Sequence, residues 1–148
     1  MIPGARLAAA IEVLADIDAR RRPAPDALKD WGLGHRFAGS GDRAAIAGLV
    51  YDALRRRASS AYLMGEATPR AILVGMLQRE RGLDVEAIAR LMDGSRYALP
   101  QLSDNERARL SGARLDGAPP HVLGDYPEWL DPYLARVFGE EQIGRAHV

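Results

Sequence analysis

Apolar residues recur at helical intervals along most of the chain. Leu7, Ile11, Leu14 and Ile17 step by four, three and three, which lines one face of a helix that opens after Pro3-Gly4 and fades by Arg22, before Pro23 and Pro25. Residues 26–31 predict a short helical turn, and Gly32, Gly34, Gly39 and Gly41 a flexible connection. The next helix starts at residues 40–42, where Ser40 or Asp42 can cap it, and carries Ile46, Leu49, Val50, Ala53 and Leu54 on its core face. It continues, with a break at Ser59-Ser60, through Ala61, Tyr62 and Leu63 to Gly65.

Thr68-Pro69 supplies an N-cap followed by proline at the first helical position, opening a helix with Ile72, Leu73, Met76 and Leu77 that stops before Gly82. Asp84 can cap a helix carrying Ile88, Leu91 and Met92, ended by Gly94. Ser103-Asp104-Asn105-Glu106 is a capping-box pattern, and Gly117-Ala118-Pro119-Pro120 reads as a linker. Tyr126-Pro127 and Asp131-Pro132 each begin a further helix. Alternating runs of β-branched and aromatic residues never extend past a few positions, so strands are not expected. The pattern predicts an all-α bundle of about seven helices.

At 148 residues, 47% hydrophobic and 27% charged, the chain suits one domain with a short tail and excludes global disorder. No apolar run reaches the ~18–20 residues a bilayer demands, and the N-terminus lacks a secretory pattern, so the expected compartment is the cytoplasm, with no membrane partner. Zero cysteines exclude disulfides, thiolate zinc sites and a cysteine nucleophile in this chain. His35, His121 and His147 stand in separate segments, so no metal site is expected. Phosphate-cradling loops and dinucleotide folds need a strand feeding a glycine-rich turn, which leaves Gly32-Leu33-Gly34 as punctuation.

Charge then singles out arginine. The 20 basic and 20 acidic residues cancel, yet residues 1–60 carry three more basic than acidic side chains and residues 101–148 three more acidic than basic. Lys29 is the single lysine. Arg20-Arg21-Arg22 closes the first helix, where cations offset the negative end of the helix dipole. Arg55-Arg56-Arg57 ends the strongest helix, where guanidinium groups can pair with phosphate or stack on unpaired bases, and Arg36 and Arg43 join them if the connecting loop folds back. These five arginines are the candidate RNA-binding residues. No aromatic platform is evident beside them, and Trp31, Tyr51, Tyr62 and Trp129 read as core or interface anchors.

Two segments resemble a known family. Asp42-Arg43, Leu49-Val50-Tyr51 and Ala53-Leu54-Arg55-Arg56 resemble the central helix of the NusB-like domain that precedes the catalytic domain in bacterial RsmB/Sun (NOL1/NOP2/Sun) RNA cytosine-C5 methyltransferases. Tyr126-Pro127-Glu128-Trp129-Leu130, with Tyr133-Leu134 and Phe138-Gly139, is similar to the segment leading from that domain to the methyltransferase domain. Residues 65–120 depart from the better-known members, whose longer closing helix with an Asn-x-Val-Leu-Arg pattern is missing here.

The resemblance implies a NusB-like RNA-binding domain over residues 1–120, the start of a connection to a methyltransferase domain over 121–142, and rRNA as partner. It places S-adenosylmethionine and the catalytic cysteines in that further domain, so neither cofactor nor catalytic residue is expected in this chain. Residues 143–148 resemble one reading frame of a sequencing adapter and are expected to be non-native. The expected function is an RNA-binding module positioning 16S-type rRNA for cytosine-C5 methylation. The alternatives are a free-standing NusB-like antitermination factor and a helical protein-interaction module.

Overall fold

A computed structural model of the chain describes residues 1–112 and 114–138, and every regular element among them is helical. In order these are α1 (Pro3–Arg20), α2 (Ala24–Gly34), α3 (Ser40–Arg55), α4 (Arg57–Met64), α5 (Pro69–Arg79), α6 (Val85–Leu91), α7 (Asp104–Ser111), α8 (Pro120–Leu123), a 3-10 turn (Glu128–Leu130) and α9 (Asp131–Phe138). Residues 143–148 lie outside the described residues.

The centre of the bundle is α5. Residues 71–77 are all buried, as expected of a helix that is apolar on every side. Around it pack α1 through Leu7, Ala10, Val13 and Leu14, α3 through Ile46, Leu49, Val50 and Ala53, and α4. Each fully buried Leu, Ile or Met contributes about 1.5–3 kcal/mol of transfer free energy. The α4–α5 crossing is unusually close: a Cβ at Gly75 would stand 2.6 Å from the Ser60 Cβ, so the two helices approach as only a side-chain-free position allows.

Three departures from the sequence pattern have local causes. Arg56, at φ −107° and ψ 24°, separates α3 from α4, so the break falls before Ser59 rather than on it. α2 runs from Ala24 to Gly34, well beyond a single turn, because Pro25 sits in its first turn where the missing N–H costs nothing. Gly39 is the N-cap residue of α3, and Asp42 supports that end by accepting the Gly39 N–H at 3.2 Å. The Ser103/Glu106 capping box, the Thr68 cap and the Asp84 cap all form, with Ser103 Oγ accepting the Glu106 N–H at 3.1 Å.

The C-terminal segment rests on the bundle through α8, which packs against α4 and the 3-10 turn. Trp129 (67% exposed), Tyr133, Val137 and Phe138 project from it into solvent, so Trp129 is no core anchor. Tyr51 and Tyr62 are likewise exposed. No helix among the described residues is long and apolar enough to cross a membrane.

Candidate nucleic-acid interface

The arginine triplet at the α3–α4 junction is paired with carboxylates. Arg55 meets Asp52 at 3.3 Å and Glu80 at 3.2 Å, Arg56 Nε donates to Glu80 at 2.6 Å and its Nη1 lies 3.4 Å from Asp125, and Arg57 reaches Asp18 on α1 at 2.9 Å. Asp125 is the buried member of this network, and also accepts the Ser59 N–H at 2.7 Å and the Ser59 hydroxyl at 2.8 Å. The Arg56 guanidinium, with help from Arg55, holds the Glu80 carboxyl below the ordinary carboxylate range. Arg56 is thereby committed to joining α3, α5 and the C-terminal segment, whereas Arg55 and Arg57 keep roughly half of their side-chain surface in water.

Arg43 lies at the other end of α3, about 18 Å away at 1.5 Å of rise per residue, so the five candidate arginines do not form one patch. Its guanidinium turns back onto the α2–α3 connection, donating to the Ala38 carbonyl at 3.1 Å and the Gly32 carbonyl at 3.3 Å. Neighbouring Asp42 ties the same region to α1 by pairing with Arg6 at 2.8 Å, a contact that lowers its pKa. The two residues thus fix the loop that carries Arg36 and Phe37. Arg36 itself is exposed and, among the described residues, has no ion-pair or hydrogen-bond partner.

That loop borders an apolar groove, a cavity of about 540 Å³ between α1 and α2, within the ~300–1,000 Å³ typical of ligand clefts. Small side chains of α1, Ala5 and Ala8, leave room for it. Trp31 on α2 and His35, the residue just past its end, stack with ring centroids 4.2 Å apart and planes 8° from parallel. Phe37 meets the His35 ring edge-on at 5.9 Å and is 74% exposed. Tyr97 completes the wall from the α6–α7 connection, with the Arg96 guanidinium 5.1 Å from its ring centroid. Its position depends on Gly4, because a Cβ there would lie 2.6 Å from the Leu91 carbonyl and 2.9 Å from the Ala98 Cβ.

One exposed carboxylate borders this aromatic wall. Glu12 Oε2 accepts the Trp31 indole N–H at 2.9 Å and lies 4.0 Å from His35 Nε2. His35 Nδ1 sits 2.7 Å from the Trp31 carbonyl, which only accepts, so Nδ1 carries the hydrogen and donates. The groove therefore offers exposed ring faces, with the exposed Glu12 carboxylate at its edge and the Arg96 guanidinium beside Tyr97. Among the described residues no three His, Asp or Glu side chains group as a metal site.

The sequence singled out Arg36 as a candidate and gave no sign of this groove. The Trp31/His35 spacing of four was a visible helical pair once α2 is extended to Gly34. Tyr97 lies 62 positions after His35, and nothing local announces that it joins them. In comparisons with protein-family models, curated proteins and solved structures, the chain matches none.

Proposed function

We propose that this chain is an RNA-binding helical module that positions RNA for a SAM-dependent cytosine-C5 methyltransferase domain. The methyl transfer belongs to that other domain. This chain's own work is to hold single-stranded RNA at the aromatic groove and to fix its register through phosphate contacts.

The observation that carries the reading is the juxtaposition of exposed Phe37 and Tyr97 with Arg36 and Arg96, which have no carboxylate partner among the described residues. Stacking a base on an aromatic ring is worth ~1–3 kcal/mol, and an unpaired guanidinium can take phosphate without first giving up an ion pair. Arg55 and Arg57 can add weaker contacts with their exposed edges, at the expense of existing partners. The Asp42-Arg43 and Tyr126–Leu130 resemblances supply the methyltransferase context.

The test is fluorescence anisotropy of a labelled short single-stranded RNA titrated with the full chain over a salt series. The expected outcome is binding whose log K falls linearly with log salt, with a shallow slope set by two or three phosphate contacts. Absence of binding at low salt contradicts the proposal.

A second reading, a helical module whose partner is a protein, is favoured by one observation: Trp129, Tyr133, Val137 and Phe138 all project from the C-terminal segment. RNA-independent capture of a single protein, abolished by Trp129→Ser, is its test.

A further inference from the structure

Two grooves on the bundle are each lined by two arginines, and their surroundings differ. Arg20 and Arg22, at the end of α1, share theirs with Asp16 and Asp30 and are ion-paired to them. Arg109 on α7 and Arg114 just beyond it line the other, a cavity of about 450 Å³ between α4 and α7. Tyr62 and Asn105 also line it, and among the described residues no acidic side chain does. Neither Arg109 nor Arg114 has an ion-pair or hydrogen-bond partner among the described residues. Arg109 is nonetheless held in place. Gly65 ends α4 at φ 76°, and a Cβ there would stand 2.8 Å from the Arg109 Cζ, so the guanidinium lies against a surface that only glycine provides. The adjoining C-terminus of α4 carries about half a negative charge, which leaves the cation only partly offset.

We propose that this α4–α7 groove binds a nucleotide unit through its phosphate, with Arg109 and Arg114 taking the phosphate oxygens and the Tyr62 ring stacking on the base. A guanidinium fork matches phosphate oxygens bidentately, and two such groups free of carboxylates give up no ion pair when the anion arrives. Packing on Gly65 sets Arg109 in position beforehand, so little side-chain freedom is lost on binding. Tyr62 is 43% exposed and supplies the ring face that a bare phosphate site would lack. Asn105, also exposed, can donate to a phosphate oxygen or pair with a ribose hydroxyl. The volume lies within the ~300–1,000 Å³ range of small-molecule clefts. A phosphate beside an aromatic base is common to a free nucleotide and to single-stranded RNA. The proposal stands apart from the aromatic groove between α1 and α2 and holds whether or not that groove takes RNA.

Isothermal titration calorimetry of the full chain at low salt compares adenosine 5′-monophosphate, adenosine and inorganic phosphate. It is repeated with Arg114→Gln, Arg109→Gln/Arg114→Gln, Tyr62→Ala and, as a control for charge alone, Arg20→Gln. Circular dichroism checks each fold. Arg114 is exposed and lies outside any helix, so Arg114→Gln carries the test even where loss of the Gly65 contact unfolds the double variant. Monophosphate binding about tenfold or more tighter than adenosine, weakened about fivefold or more by Arg114→Gln and by Tyr62→Ala and unchanged within about twofold by Arg20→Gln, supports the proposal. Absence of monophosphate binding, equal losses in Arg20→Gln and Arg114→Gln, or inorganic phosphate binding as tightly as the monophosphate overturns it. A short single-stranded RNA then separates the two sources. Displacement of the monophosphate supports RNA as the occupant, and RNA binding without displacement supports a free nucleotide. An RNA that fails to bind a chain holding the monophosphate overturns the RNA-binding reading alone.

Discussion

Asp125 caps a helix it does not belong to: its carboxylate takes the backbone N–H of Ser59 at 2.7 Å and the Ser59 hydroxyl at 2.8 Å, across 66 residues of sequence. Ser59 is the third residue of α4, whose own N-cap residue, Arg56, offers no capping side chain. The donor left orphaned by the α3–α4 break is thus satisfied by the C-terminal segment, and the same carboxylate draws in Arg56. Asp125 adopts φ 53°, a conformation that Asp and Asn tolerate better than other side chains.

Asp125→Ala should lower unfolding free energy by about 2–3 kcal/mol, combining loss of a cap with a strained alanine and buried groups left unpaired. Asp125→Asn keeps an acceptor and the conformational tolerance, and should cost about half as much. Urea denaturation of both variants checks the order.

Among the triplet arginines, Arg56→Ala should be the costly change at about 1–3 kcal/mol, because it removes a partner from buried Asp125. Arg55→Ala breaks pairs made by a side chain 58% exposed and should lie within about 1 kcal/mol of wild type. Thermal unfolding distinguishes a structural Arg56 from one that is free to serve a ligand.

Gly75→Ala forces a methyl to within 2.6 Å of the Ser60 Cβ and should destabilise by about 1–3 kcal/mol through overpacking. Gly41→Ala in the first turns of α3 meets nothing within 4 Å and should stabilise by about 0.5–1 kcal/mol. Opposite signs in a denaturant series are the expected result.

Asp42, Glu80 and Glu106 have carboxyl pKa values lowered chiefly by hydrogen bonds from Arg6, Arg56 and Arg70 respectively. A lower value in the folded state means the unfolded chain binds protons first as pH falls. Their stabilisation is therefore complete above the unfolded carboxylate range of about 3.9–4.3 and is lost as pH drops through the folded values. Unfolding temperature should stay level from pH 7 to about pH 5 and fall below about pH 4. Combining Glu80→Gln with Glu106→Gln should flatten that acid limb.

Helix-forming chemistry was plain in the sequence wherever it was local. Thr68-Pro69, Asp84 and the Ser103/Glu106 box act within one turn, and Ile72, Leu73, Met76 and Leu77 marked a helix, though not its central place in the bundle. The face of α1 was legible only in part: Leu7 and Leu14 are buried, but Ile11 and Ile17 flank the core while Ala10 and Val13 occupy it. What escaped was long-range. The Asp125–Ser59 cap, the Glu80 partner of Arg55 and Arg56, and the meeting of Phe37 with Tyr97 all join segments whose proximity no periodicity encodes. A run of arginines reads as a cationic rim in sequence, and three carboxylates from three other elements make it a strut.

RNA, on the proposed reading, is held by the aromatic groove rather than by the arginine triplet. The most direct measurement compares short single-stranded RNA binding by wild type, Arg36→Ala/Phe37→Ala and Arg55→Ala at one salt concentration. A loss of about tenfold or more is expected in the double variant, from one stacked base and one phosphate contact, and less than about threefold in Arg55→Ala. Undiminished binding by the double variant, with a large loss in Arg55→Ala, would contradict it.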